Sequence, residues 1–143
     1  MPQILYSSAS PFASKARMIA ALAGCSFEAV AVKTDEMPAN LIAANPLGKI
    51  PALITDEGKG IFDSKVITQY LNRVSGGRVL PKNAEKRLEA EMLESLADGI
   101  ADCAVMVAFD RNGTLPDQPD NFIHAPSGIG AITHDVAKDD DAV

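Results

Sequence analysis

Asn45-Pro46-Leu47-Gly48-Lys49-Ile50-Pro51-Ala52-Leu53 is the stretch on which the reading of this chain turns. A residue before proline is pushed out of the helical region, so the short helix expected over Pro38 to Ala44 stops at Asn45. Gly48 marks a turn, and Ala52-Leu53-Ile54 leaves it as a short apolar run of strand type. A second run, Ile61-Phe62, follows across Thr55-Asp56-Glu57-Gly58-Lys59-Gly60, whose Asp and Gly content suits a hairpin, so the two strands are expected to be antiparallel neighbours. From Asp63 the pattern becomes helical, with Val66, Ile67, Tyr70, Leu71 and Val74 on one side, until Gly76-Gly77 breaks it.

Upstream, Phe27 to Val32 reads as a strand, and so does Ile4-Leu5-Tyr6, which runs into the small polar cluster Ser7-Ser8-Ala9-Ser10. Between them lies a helix. Ser10 suits the cap, Pro11 the first helical position, Ala16, Ile19, Ala20 and Ala23 form an apolar stripe, and Gly24 closes it. The order βαβ, helix, ββ, α predicts a mixed sheet with helices laid on it, a small α/β unit of about eighty residues. Leu80-Pro81 reads as a linker, after which Asn83 can cap a long helix. In that helix Leu88, Met92, Leu96, Ile100, Ala104 and Val107 form an apolar stripe that needs a partner, with charged residues opposite. After Arg111 the periodicity stops. Residues 112–143 hold three prolines, scattered glycines and the acidic run Asp139, Asp140 and Asp141, so little packed structure is expected there.

A chain of 143 residues accommodates one ordinary domain, or a small one and part of a second. It is 47% apolar, only 5% aromatic and has no Trp, so its core is expected to consist of Ala, Leu, Ile and Val. The formal charge of -6, with Lys and Arg dispersed along the chain, argues against nucleic acid as a partner. Cys25 and Cys103 form no close pair suited to a zinc site, a disulfide framework or a redox couple, and both read as small packing residues in a reducing compartment. The start of the chain lacks the basic and apolar segments of a signal peptide, and no run is long enough to span a bilayer, so no membrane partner and a cytoplasmic location are expected. His124 and His134 have no spaced ligand partners, so no metal is expected.

Three motifs, taken in order, resemble the N-terminal domain of bacterial glutathione transferases: Ser10-Pro11-Phe12 at a strand-to-helix turn, Asn45 to Leu53, and Phe62-Asp63-Ser64 opening a helix. The resemblance is close from Met1 to Gly77, and Ala84 to Arg111 looks like the first helix of the family's helical C-terminal domain. It implies a thioredoxin-like βαβαββα domain at residues 1–78, the start of an all-α domain at 83–111 and an irregular tail at 112–143. Family members usually continue with several more helices that complete the electrophile pocket, so the tail suggests truncation or a shifted reading frame. The resemblance further implies glutathione as co-substrate, no metal, transfer of its sulfur to a small electrophile, and a homodimer. With an incomplete helical domain, the alternative is a protein that binds glutathione or a partner without turnover. A glutaredoxin-like exchange reaction is excluded by residue type, because Ser10-Pro11-Phe12-Ala13 has no Cys to form a mixed disulfide.

Residue by residue, the resemblance implies that the Ser10 hydroxyl donates a hydrogen bond to the glutathione sulfur, where a hydrogen bond and a helix N-terminus both favour thiolate. Ser8 is the alternative hydroxyl, and a helix cap is the plainer role for Ser10. Ile50-Pro51 matches a cis-proline step whose Ile50 backbone pairs with the cysteinyl unit, and Lys49 can reach the glycyl carboxylate. Ser64 would take the γ-glutamyl carboxylate at a helix N-terminus and Asp63 the α-amino group, although an ordinary cap explains either residue alone. Lys15 and Arg17 stand where basic residues can assist the thiolate, or simply line a solvated helix face.

Overall fold

The computed structural model describes residues 1–111, and the readings of the 112–143 tail, His124 and His134 lie outside the described residues. The elements are β1 (Gln3–Tyr6), α1 (Pro11–Ala23), β2 (Glu28–Ala31), α2 (Ala39–Ala44), β3 (Ala52–Ile54), β4 (Gly60–Ile61), α3 (Ser64–Val74) and α4 (Ala84–Arg111). Strands pair in the order β2-β1-β3-β4, with β1 parallel to β2 and antiparallel to β3, and β3 antiparallel to β4. This is a thioredoxin-like α/β unit followed by a helix, the architecture anticipated from the strand and helix order. The last strand ends at Ile61, one residue short of the expected run, because the chain turns away at Phe62 to start α3. The second helix begins at Ala39, with Pro38 as its N-cap.

Alternation along the central strands divides the core between the two faces of the sheet. Ile4 on β1 and Leu53 on β3, both buried, meet Ala16, Ala20 and Ala23 of α1 and Ile67 and Leu71 of α3. Their neighbours in sequence, Leu5 and Ala52, point to the other face and meet Leu41 and Ala44 of α2. The small residues of α1 let that helix approach the sheet, and each fully buried Ile or Leu contributes about 1.5–3 kcal/mol. Gly60 sits where α2 crosses the edge of the sheet. A Cβ there would overlap the Ala44 carbonyl and lie 2.6 Å from Ala44 Cα, so no larger residue fits without moving α2. Cys25 packs against the α1–α3 side of the core, as expected of a small apolar group, whereas Cys103 is exposed, because it lies on a side of α4 that meets nothing among the described residues.

Residues Met1–Val105 form one compact unit, which takes in most of α4. Met106 begins a second unit, of which only the last turns of α4 belong to the described residues. Within the first unit α4 does not bury its apolar stripe. Leu88, Met92, Leu93, Leu96 and Ile100 are all exposed. The side turned to the α/β unit is the polar one: Arg87 donates to Gln69 of α3 at 2.7 Å, Lys65 donates to Ser95 at 3.0 Å, and Lys15 of α1 meets Glu94 and Asp98. Periodicity identified an apolar stripe, but α1 and α3 present long polar side chains to α4, and these select its polar stripe.

Candidate functional site

Strand register brings the three sequence motifs to one end of the sheet. Leu5 of β1 lies opposite Ala52 of β3, and Leu53 opposite Ile61 of β4. The next residues in that direction are Tyr6, Pro51 and Phe62, so the β1–α1 turn, the loop before β3 and the β4–α3 turn share an edge. Both α1 and α3 start there. Their first-turn N–H groups, which have no partner within the helix, give that edge a favourable potential for anions.

At the first of these turns Ser10 caps α1. Its backbone N–H donates to the Ser7 carbonyl at 3.1 Å, and its Oγ accepts from the Ala13 N–H at 3.2 Å. That bond uses an oxygen lone pair and leaves the hydroxyl proton free to donate elsewhere. The cap and a donor role are therefore compatible in a single side chain. Ser8 lies exposed in the preceding turn.

The loop before β3 is organised by Asn45, a residue that reasoning from the sequence used only as a helix stop. It is 2% exposed; its Nδ2 donates to the Lys49 carbonyl at 2.7 Å and its Oδ1 accepts from the Leu47 N–H at 3.0 Å. Gly48 completes the turn with φ of 63°, and a Cβ there would crowd Met37 Sδ at 3.2 Å. The Asn-Pro-x-Gly spacing carries a signal of this kind, since an Asn side chain readily closes a turn over the residues after it. This loop leads into the cis Ile50–Pro51 peptide, with Pro51 buried and Lys49 exposed.

At the third turn the Phe62–Asp63 peptide is also cis, and Asp63 caps α3 through Oδ1, which accepts from Lys65 N at 3.1 Å and Val66 N at 3.4 Å. Its Oδ2 makes no hydrogen bond among the described residues and is free for a cation. Ser64 is 5% exposed at the first position of α3, and its carbonyl accepts from Thr68 Oγ1 at 3.0 Å. Ser10, Ile50, Pro51, Asp63 and Ser64 thus belong to the three turns at this edge, with Lys49 on the adjoining loop.

Lys15 and Arg17 are neither solvated nor turned to that edge as free cations. Lys15 Nζ lies 2.8 Å from Asp98 and 2.9 Å from Glu94, with all three side chains mostly shielded from solvent. Its contact with Glu94 is ionic without hydrogen-bond alignment, so the buried Glu94 oxygens have no aligned donor. Arg17 stacks its guanidinium 4.5 Å from the centre of the Tyr6 ring, and its buried Nε is unpaired among the described residues. Among the described residues no group of three or more His, Cys, Asp or Glu is placed to hold a metal ion, and no helix is long and apolar enough to cross a membrane.

Residues 9–74 match the family of the glutathione S-transferase N-terminal domain. The uncharacterized GST-like protein YibF of Escherichia coli (strain K12) is 34% identical over 102 residues, covering 68% of this chain and 48% of the relative. The probable glutathione S-transferase BZ2 of Zea mays is 38% identical over 80 residues, covering 52% and 34%. The chain spans half or less of the length of these relatives. A glutathione S-transferase from Methylobacillus flagellatus, crystallised with GSH bound, superimposes with a TM-score of 0.71 at 34% identity, over 82% of this chain and 57% of that one. A glutathione transferase family member from Pseudomonas fluorescens Pf-5, with bound glutathione, gives 0.70 at 31% identity over 82% and 60%.

Proposed function

The chain belongs to the glutathione S-transferase family through its N-terminal domain, and from that membership we propose that it binds glutathione across the shared sheet edge and activates its thiol for attack on a small electrophile. The observation that carries the reading is the convergence of the α1 start, the Ile50–Pro51 step and the α3 start on one edge, in a chain similar to solved proteins that hold glutathione. The γ-glutamyl carboxylate takes the Ser64 N–H and hydroxyl at the α3 N-terminus, and the α-amino group takes the free Asp63 Oδ2. The cysteinyl unit pairs with the Ile50 backbone in strand fashion, and the Lys49 ammonium reaches the glycyl carboxylate.

The reacting sulfur then lies at Ser10, whose hydroxyl proton is free because its cap role uses only oxygen. A hydrogen bond to the charged form, added to the α1 N-terminus, lowers the thiol pKa and raises the thiolate fraction near neutral pH. Lys15 has no part in this, since Glu94 and Asp98 neutralise it. The thiol proton passes to solvent, the thiolate forms the carbon–sulfur bond, and the electrophile's carbon–halogen bond breaks to release the halide, as chloride leaves 1-chloro-2,4-dinitrobenzene. Ser10 holds the sulfur but does not become bonded to it. The protein works in the cytoplasm as a homodimer, with residues 1–78 as the glutathione domain and α4 as the first helix of the second.

Retention of the purified full chain on immobilised glutathione, elution by free glutathione, and loss of retention in Ser64→Ala test the binding. Conjugation of 1-chloro-2,4-dinitrobenzene by the same sample tests turnover. Specific retention without conjugation selects the second reading, a protein that binds glutathione without catalysis. No retention by a folded sample overturns both.

A further inference from the structure

Between β2 and α2 the chain makes a single turn of 3-10 helix, Thr34–Glu36, and Met37 ends it with φ of 47° and ψ of 52°. Among the described residues Met37 is the one residue other than glycine with a positive φ. A methionine in the left-handed region carries a backbone penalty and stays there only where its surroundings hold it. Its N–H donates to the Thr34 carbonyl at 3.2 Å, and its side chain supplies a second hold. Sδ and Cε lie 3.2 and 3.3 Å from where a Cβ on Gly48 would stand, and Ile42 Cδ1 lies 3.4 Å from the same point, so the thioether rests on the Gly48 turn.

That turn belongs to the candidate site. The Gly48 N–H donates to the Asn45 carbonyl at 2.9 Å, and the next residues are Lys49, Ile50 and the cis Pro51. Gly48 is buried beneath the contact, whereas Met37 is 57% exposed. One thioether therefore ties a strained residue to the site loop and presents its sulfur to dissolved oxidants.

From this contact we infer that Met37 is a modification site: a hydroperoxide oxidises its thioether to the sulfoxide and, on the glutathione-binding proposal above, so loosens the glycyl end of that site. A lone pair of Sδ attacks the outer peroxide oxygen, a sulfur–oxygen bond forms and the oxygen–oxygen bond breaks. The proton on the transferred oxygen passes to the departing one, which leaves as an alcohol or as water. Sulfur gives up two electrons and the peroxide gains them. The sulfoxide is polar and larger, and it draws water to where Sδ lay against Gly48 and Ile42. Met37 then loses its apolar hold and leaves the left-handed region, and the Gly48 turn opens more often.

Treatment of the full chain with hydrogen peroxide, then with dithiothreitol to restore Cys25 and Cys103 but not the sulfoxide, tests this. Peptide mass spectrometry should place one added oxygen on Met37. Hydrogen exchange across residues 45–49 should speed up about tenfold and glutathione retention weaken about threefold, both reversed by a methionine sulfoxide reductase. Met37→Leu keeps an apolar side chain without the sulfur. With the exposed Met18 and Met92 still oxidised, its exchange and retention should not respond. Absence of oxygen on Met37, oxidised Met37 with unchanged exchange or unchanged retention, or an equal response from Met37→Leu overturns the inference. Faster exchange in a chain that binds no glutathione even before oxidation upholds the modification and overturns the glutathione site instead.

Discussion

Ser10 Oγ accepts the Ala13 N–H at 3.2 Å, so replacing Ser10 with alanine removes a helix cap, worth about 1 kcal/mol, together with the hydroxyl. Ser10→Asp separates the two. It keeps the cap and the melting temperature, but places a negative charge beside the sulfur, so the thiol of bound glutathione titrates at higher pH and conjugation at neutral pH falls by at least about tenfold. Ultraviolet titration of the thiolate reads the first effect; an unchanged titration eliminates Ser10 as the sulfur's partner and leaves Ser8. Asn45 governs the neighbouring loop through structure alone. Asn45→Ala strands the Lys49 carbonyl and the Leu47 N–H, and a loss of about 1–3 kcal/mol is expected, read as a lower melting temperature and weaker retention on glutathione together. Asn45 escaped the sequence reading because its contacts are made after the turn closes, whereas the Ser10 cap is visible in the Ser-Pro order itself.

Elements bring a different balance of forces into view. α1 and α2 turn their small and apolar residues to the sheet, and α3 buries Ile67 and Leu71 there, while Val66 and Val74 of its expected apolar side stay exposed. α4 follows its charges. Lys15 sits between Glu94 and Asp98, mostly shielded from solvent, and this contact joins the first helix of the α/β unit to α4. Lys15→Met leaves two carboxylates without their cation. Because the site is not fully buried, the expected cost is about 1–2 kcal/mol, less than for a fully buried pair. Hydrogen exchange then speeds up across Ala90 to Ala101 and leaves β1 and β3 protected. Wild-type exchange in α4 of that variant would mean that the Lys65–Ser95 and Arg87–Gln69 contacts hold the helix without Lys15.

For the whole molecule the exposed row Leu88, Met92, Leu96 and Ile100 sets the expectation of self-association, since apolar surface in one stripe is costly in water. Met92→Glu/Leu96→Glu should convert a dimer into a monomer by light scattering while glutathione retention persists, and a wild-type chain that is monomeric at all concentrations removes the dimer from the proposal. By itself the sequence determined the element order, the strand-to-helix cap at Ser10, the helix stop at Asn45 and the start of α3 at Asp63-Ser64, because each depends on backbone preferences within a few residues. It also located the three turns that the family resemblance joins into a site. Only the tertiary structure decided that Lys15 answers Glu94 and Asp98, that the polar side of α4 faces inward, and that the Met37 thioether rests on the Gly48 turn. Those outcomes depend on which side chains meet across the fold, at separations of up to 83 residues, where local preference carries no information.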